Sequence, residues 1–313
     1  MFFAYPYTAS EPVMRGSDPH RLLFVGVTHA NEAAAGAPPG GPPGAPPSDT
    51  APGGGFAARL DADLPGSLPM DAYLTTTVAA LAPLGFTRGR ALPLLGICRD
   101  ELTAPFLVGV RDRWGNPFLL GGLAGQIALG RTGLSAAVGH APMTGGAGDP
   151  ARFVAYLLPH VGIDAIGEIG WTVRPGQPDR STACGALVAL GPTLRVQAGA
   201  ATPGPDAGDL EQSVLASRVR RALGQGEPPE LLGLTELVAD LLVTDFLATL
   251  AATVELVPGL VGAEIAVLGG LLVHGPNGRD WVAPRQAFVV RAGQTDAREP
   301  IAAMPTARRS AAR

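Results

Sequence analysis

Two short polar segments carry the reactive side chains of this sequence, and each contains one of its two cysteines. The first, residues 96–101 (Gly-Ile-Cys-Arg-Asp-Glu), follows an apolar run and places a thiol, a guanidinium and two carboxylates at the end of a predicted buried strand. The second, residues 181–185 (Ser-Thr-Ala-Cys-Gly), has hydroxyl groups that favour a helix starting near Cys184. Side chains at the end of a buried strand are held firmly and still face a cleft, so these segments are the candidates for chemistry.

Two thiols and one histidine are a ligand set for a catalytic zinc ion, which takes three protein ligands and leaves a fourth position open. We interpret Cys98, His160 and Cys184 as this set, because His160 follows a second predicted strand, residues 151–158. A helix start at Cys184 also favours its thiolate form. Spacing alone leaves alternatives open. The cysteines are equally compatible with buried structural thiols, His160 with a core histidine, and His140 is a rival ligand.

Composition places the chain among folded α/β proteins. Its 313 residues are enough for one large domain or two small ones, which need no metal or disulfide merely to fold. Hydrophobic residues make up 46% of the chain and charged residues 16%, as is typical of a well-buried α/β protein. The formal net charge is −4 and the arginines are scattered, so no nucleic-acid partner is expected.

The first residues lack the basic start and the apolar run of a secretory signal, which predicts a cytoplasmic location where thiols stay reduced. The most apolar late segment, residues 231–256, contains several carboxylates and is not expected to span a membrane.

The sequence divides into three regions. Residues 1–56 form an appendage with a disordered linker, because residues 35–55 are rich in glycine and proline and cannot bury enough apolar surface. Residues 57–292 form the catalytic domain, and residues 293–313 form a loose tail. Within the domain, predicted helices alternate with apolar strands, which indicates an α/β fold with a largely buried sheet. The strands are predicted at 91–97, 151–158, 264–268 and 287–291, and the helices at 69–81, 209–223 and 231–256.

Several segments, in the same order, resemble the limiting-CO2-inducible protein B/C family, a divergent group of β-type carbonic anhydrases also called the θ class. These segments are residues 98–101, 121–125, 130–133, 159–163, 181–186 and 268–276. The resemblance extends over roughly residues 66–292. It implies a β-carbonic-anhydrase-like fold, in which a central, mostly parallel sheet is flanked by helices.

Ordinary β-type enzymes carry a Cys-x-Asp-x-Arg motif, which this chain matches only in part. Cys98 and Asp100 fit the first two places, whereas Leu102 occupies the place of the arginine. The neighbouring Arg99 is therefore the expected partner of Asp100, keeping its carboxylate ionised. The resemblance assigns Asp100 the orientation of the zinc-bound hydroxide and leaves Glu101 without a role.

The same enzymes carry a later His-x-x-Cys-Gly motif, which His160 and Cys184 fit if the residues between them are an insertion. The resemblance therefore favours His160 over His140 as the ligand of Zn²⁺. It implies a carbonic anhydrase that hydrates CO2 reversibly to bicarbonate by zinc-bound hydroxide. The alternatives are hydrolysis of COS or CS2 at the same site, and a non-catalytic structural or regulatory member. A homodimer is expected, with residues 231–256 fitting a self-association surface.

Overall fold

The computed structural model of the protein describes residues 55–142, 150–196 and 206–305. Residues 1–54 of the predicted appendage and residues 306–313 of the predicted tail lie outside the described residues. The described chain opens with a helix at Phe56, one residue before the predicted start of the domain.

Helices and strands alternate along most of the described chain. The helices are α1 (Phe56–Asp63), α2 (Met70–Leu81), α3 (Ala104–Trp114), α4 (Arg131–His140), α5 (Gly185–Val196), α6 (Leu210–Leu223) and α7 (Leu231–Thr253). The strands are β1 (Leu68–Pro69), β2 (Leu92–Ile97), β3 (Phe118–Leu119), β4 (Arg152–Leu158), β5 (His160–Gly162), β6 (Trp171–Val173), β7 (Arg180–Thr182), β8 (Glu264–His274), β9 (Asp280–Arg291) and β10 (Gln294–Pro300).

The central sheet has the order β1-β9-β8-β4-β2-β3, with β10 added to β9 and β5 added to β8. Strands β3, β2, β4 and β8 run parallel, whereas β9 lies antiparallel to β8, β1 and β10. A separate antiparallel hairpin is formed by β6 and β7. The fold is therefore an α/β fold with a mostly parallel sheet, as predicted.

The two central parallel strands end in register. Leu92 of β2 pairs with Phe153 of β4, and the pairing continues to Ile97 beside Leu158. Every residue of β2 is buried, which explains its uninterrupted apolar sequence, because parallel strands are covered on both faces. The residues that follow the two strands consequently emerge at the same edge of the sheet.

Helices cover both faces of the sheet. Phe153 and Leu157 point into a core shared with α4, α5, α6 and α7. The alternate residues Val154 and Tyr156 point to the other face, against α2 and α3. This alternation follows from the two-residue period of a strand.

Helix α7 is a core helix of this domain. The segment Leu231–Leu256 is long and apolar enough, by length and composition alone, to cross a membrane, but half of its most apolar window is buried within the protein. It packs against β8, β4 and α5. Packing within the chain therefore accounts for the buried half of this window.

The prediction of a loose tail from residue 293 is corrected by β10. Strand β10 pairs with β9, and Ile301 beyond it is buried at 4% exposure. A turn at Gly293, whose φ is +94°, connects β9 to β10, and glycine adopts this conformation without strain. Because β10 lies at an exposed edge, its polar sequence shows no apolar pattern that would have predicted a strand.

Candidate metal centre

Three elements bring the predicted ligands together at the carboxyl edge of the parallel strands. Cys98 directly follows β2, His160 opens β5 just after β4, and Cys184 immediately precedes α5. One ligand atom from each residue lies within 4.8 Å of the others. All three residues are buried, at 4%, 0% and 1% exposure respectively. The register of β2 with β4 thus converts distant positions in the sequence into one cluster.

One buried atom of this cluster lacks a partner. Within the described part of the chain, Nε2 of His160 makes no hydrogen bond, although its Nδ1 lies 2.9 Å from Nε2 of His274. An unsatisfied buried nitrogen destabilises a fold unless something binds it. A zinc ion would satisfy this atom, and two cysteines with one histidine form a known catalytic zinc ligand set with an open fourth position. The residues present therefore fit a zinc ion.

The pKa values of the two thiols are shifted in opposite directions. The hydrogen bond from Cys184 lowers the pKa of Cys98 to about 4, despite the opposing effect of burial. The same hydrogen bond and burial raise the pKa of Cys184 well above its ordinary value. The backbone N–H of Ala124 also donates to Sγ of Cys98 at 3.3 Å. The lowered pKa of Cys98 favours its thiolate form, and thiolates are the form of cysteine that binds metal.

Backbone strain is concentrated beside this cluster. Among the described non-glycine residues, Ala124, Cys184 and Asn277 have positive φ. Ala124, with φ 52°, contacts Cys98, and Cys184, with φ 56°, carries the second thiol. Such conformations cost free energy and persist where the surroundings impose them, often at functional sites. At Ala124 the conformation belongs to the turn that aims its N–H at Cys98.

Asp100 lies beside the cluster and is held by an arginine from far along the chain. Arg174 donates from Nη1 to Oδ1 at 2.9 Å and from Nη2 to Oδ2 at 3.1 Å. The carboxylate also accepts from the N–H of Leu102, and its Oδ2 lies 4.0 Å from Nε2 of His160. Burial favours the neutral acid, but the hydrogen bonds from Arg174 and Leu102 outweigh it and hold the pKa of Asp100 well below its usual range.

The prediction that Arg99 is the partner of Asp100 is therefore corrected. Arg99 is exposed and pairs instead with Glu211 of α6, at 2.5 Å between Nη2 and Oε1. Both residues lie in the bend after β2, where Asp100 faces the cluster and Arg99 reaches α6.

Arg174 was missed by sequence reasoning. It follows β6, and the pairing of Trp171 with Thr182 folds the hairpin back toward Cys184. Arg174 also donates to the carbonyl oxygen of Thr182 at 3.0 Å and pairs with Glu101. The segment between His160 and Cys184 thus brings the missing arginine to Asp100.

The rival ligand His140 is placed elsewhere. It ends α4, is exposed, and packs its ring against Phe118 at 5.6 Å between centroids. Sequence reasoning also missed His274 and Asp280, which lie behind His160, with Nδ1 of His274 2.8 Å from Oδ1 of Asp280. Burial lowers the pKa of His274, which favours its neutral form. The apolar run that ends at His274 was the available signal, since β8 extends to that residue.

Comparisons with known proteins show the family and the fold. The family model described as limiting CO2-inducible proteins B/C, beta carbonic anhydrases, matches residues 67–291. The crystal structure of PtLCIB4, a homolog of the limiting CO2-inducible protein LCIB, is similar with a TM-score of 0.66 and 22% identity, covering 78% of this chain and 99% of that one. That of LCIB has a TM-score of 0.58 and 24% identity, covering 73% and 92%. At these identities the structures show the fold. No curated protein matches the chain significantly.

Proposed function

This chain belongs to the limiting CO2-inducible protein B/C family of beta carbonic anhydrases, and on that basis we propose that it is a zinc-dependent carbonic anhydrase interconverting CO2 and bicarbonate. The observation that carries the proposal is the buried cluster of Cys98, His160 and Cys184, in which His160 Nε2 has no partner among the described residues. The ionised Asp100 beside the cluster completes the set of groups that the reaction needs.

When bound by these three residues, zinc would supply a Lewis acid that makes water a nucleophile near neutral pH. The lowered pKa of Cys98 favours its thiolate form, which supplies the negative charge that a zinc ion requires. Cys184 gives up its proton on binding, so metal uptake is expected to release protons to solvent.

Asp100 is positioned to accept a hydrogen bond from the reacting water. Its Oδ2 lies 4.0 Å from His160 Nε2, the nitrogen that would bind the metal. The carboxylate therefore lies next to the metal position. The paired hydrogen bonds from Arg174 fix both carboxylate oxygens, and this geometry is specific to the planar guanidinium. Asp100 therefore remains an acceptor throughout the neutral pH range and orients the water toward the substrate.

The surroundings of the thiols suit a small apolar substrate. Cys98 and Cys184 belong to a buried apolar cluster that includes Leu120, Ala124 and Ile127. CO2 carries no charge, so contact with such apolar side chains costs it less free energy than it costs the bicarbonate anion.

Stopped-flow CO2 hydration by zinc-loaded wild type and Asp100→Asn tests the proposal. Asp100→Asn replaces the acceptor carboxylate at nearly constant volume, and we expect a loss of about 10²- to 10⁴-fold in kcat/KM at equal zinc content. His140→Ala is the control and should retain both zinc and activity, because His140 lies outside the cluster. One zinc per chain without CO2 hydration at any pH would contradict the proposal, and turnover of COS or CS2 alone would contradict the choice of substrate.

A further inference from the structure

A buried row of polar side chains lies behind His160. His274 is the last residue of β8 and Asp280 the first of β9, and the two are direct partners in the sheet register. Both are buried, with side chains 3% and 7% exposed. The row runs from Asp280 Oδ1 to His274 Nδ1 at 2.8 Å and from His274 Nε2 to His160 Nδ1 at 2.9 Å.

The chemistry of these groups fixes where the protons lie. An ionised carboxylate only accepts hydrogen bonds, so Nδ1 of His274 must carry a proton and donate it to Asp280. A neutral imidazole then has a bare Nε2, which accepts. His160 must therefore donate from Nδ1, which leaves its Nε2 without a proton.

Nε2 of His160, which these hydrogen bonds leave without a proton, also has no hydrogen-bond partner among the described residues. His160 Nε2 is buried, makes no hydrogen bond within the described residues, and belongs to the residue that clusters with Cys98 and Cys184. If the proton stood on Nε2 instead, His160 would present N–H where a metal needs a lone pair. The direction of the row thus decides whether the site can bind metal.

We propose that Asp280 and His274 are positioning residues that hold His160 in the Nδ1–H tautomer and thereby set the affinity of the site for its metal. The inference rests on the proposed metal centre but not on catalysis. Partners of this kind, which receive the second N–H of a ligand histidine, typically change metal affinity by about 10- to 100-fold when they are lost. A purely structural role, joining the ends of β8 and β9, would leave the tautomer unchanged.

Asp280→Asn is the variant that separates these roles. The amide has nearly the shape of the carboxylate, but its NH2 group can donate to Nδ1 of His274. In that orientation the His274 proton moves to Nε2, which then donates to Nδ1 of His160 and displaces the proton of His160 onto Nε2. The opposite orientation, in which the amide oxygen accepts from Nδ1, keeps the wild-type tautomer. The matched control is Asp71→Asn, the same change at an exposed residue of α2 that pairs with Arg113.

The first measurement is the ¹⁵N NMR spectrum of histidine-labelled, metal-free protein, assigned by comparison with His160→Gln. We expect a protonated Nδ1 and a bare Nε2 for His160 in wild type and in Asp71→Asn, and a shift toward Nε2–H in Asp280→Asn. A proton on Nε2 of His160 in the wild type would overturn the proposal. Because the wild-type result does not depend on Asp280→Asn, it decides the matter even if that variant fails to fold.

The second measurement is the affinity for Zn²⁺ and Co²⁺, by competition with a chromophoric chelator. We expect Asp280→Asn to bind both metals about 10- to 100-fold more weakly than wild type and Asp71→Asn. Equal affinity in Asp280→Asn protein whose ¹⁵N spectrum shows the proton on Nε2 of His160 would overturn the proposal. Wild type that binds neither metal would overturn both this inference and the proposed function, whereas wild type that binds zinc but does not hydrate CO2 would remove only the latter.

Discussion

At the scale of residues, the decisive feature is a carboxylate and a guanidinium that meet across 74 positions of sequence. Asp100 is recognisable in the sequence because it follows Cys98 at a strand end. Its partner Arg174 is not recognisable, because the contact depends on how the hairpin of β6 and β7 folds back. The adjacent Arg99 was the nearest cation in sequence, but it pairs with Glu211 of α6 instead. Residue type was enough to predict the metal ligands, whereas the partner of Asp100 could be found only from the folded structure.

The two arginines give a matched test of this pairing. Arg174→Ala removes both hydrogen bonds that fix Asp100, and a misplaced catalytic group costs about 10²-fold in rate, so we expect kcat/KM for CO2 hydration to fall by that amount. Arg99→Ala should change activity less than twofold and stability by at most about 1 kcal/mol, because its pair with Glu211 is exposed. A larger loss of activity in Arg99→Ala than in Arg174→Ala would reverse the assignment.

At the scale of elements, the turn after β3 connects the sheet to the thiols. Gly121 lies against β2 so closely that a Cβ there would meet the backbone oxygen of Ile97 at 2.1 Å. Residues 121–124 form this turn, and the N–H of Ala124 donates a hydrogen bond to Sγ of Cys98. The close approach of Gly121 to the backbone of β2 therefore positions the N–H of Ala124 to donate to Cys98.

A pair of glycine substitutions tests this packing. Gly121→Ala must push the turn away from β2, and overpacking of this kind destabilises by about 1–3 kcal/mol. Gly139→Ala is the control, because a Cβ at this exposed position of α4 meets nothing within 4 Å. It should stabilise by about 0.5–1 kcal/mol, as alanine does within a helix. Chemical unfolding measures both, and equal stability of the two variants would contradict the close approach of Gly121.

The contact of β4 with α2 gives a pH dependence. Burial raises the pKa values of Tyr73 and Tyr156 well above the ordinary value for tyrosine. Above about pH 10 the unfolded chain loses these protons while the folded chain retains them, so the free energy of unfolding falls as the pH rises. We expect Tyr73→Phe to remove about 1.4 kcal/mol of this decline between pH 9 and pH 11. Unfolding curves between pH 9 and pH 11 measure the slope, and an unchanged slope would contradict the burial of the phenol.

The elements also show which parts of the fold are readable in the sequence. Strands β2 and β4 were predicted within one residue of their bounds, because buried parallel strands are continuously apolar. The predicted strands at 264–268 and 287–291 were too short, since β8 and β9 continue to a shared turn. This shortfall hid His274 and Asp280, whose pairing depends on the register of two strands rather than on residue type.

At the scale of the whole molecule, self-association remains a prediction of the family resemblance. One face of α7 is buried in the core, so a dimer that involves this helix must use its remaining face. We still expect a homodimer, as β-type enzymes commonly form. Multi-angle light scattering at micromolar concentration measures this directly, and a monomer mass near 31.8 kDa would contradict the expectation.

The central claim is that one zinc ion at Cys98, His160 and Cys184 makes this protein a carbonic anhydrase. Titration of metal-free protein with Zn²⁺, followed by stopped-flow CO2 hydration at each addition, tests this claim most directly. The account predicts that activity rises linearly and stops at one equivalent of zinc per chain, and that Cys98→Ser shows no such rise. Saturation of the site with one zinc per chain and no gain in CO2 hydration would contradict it.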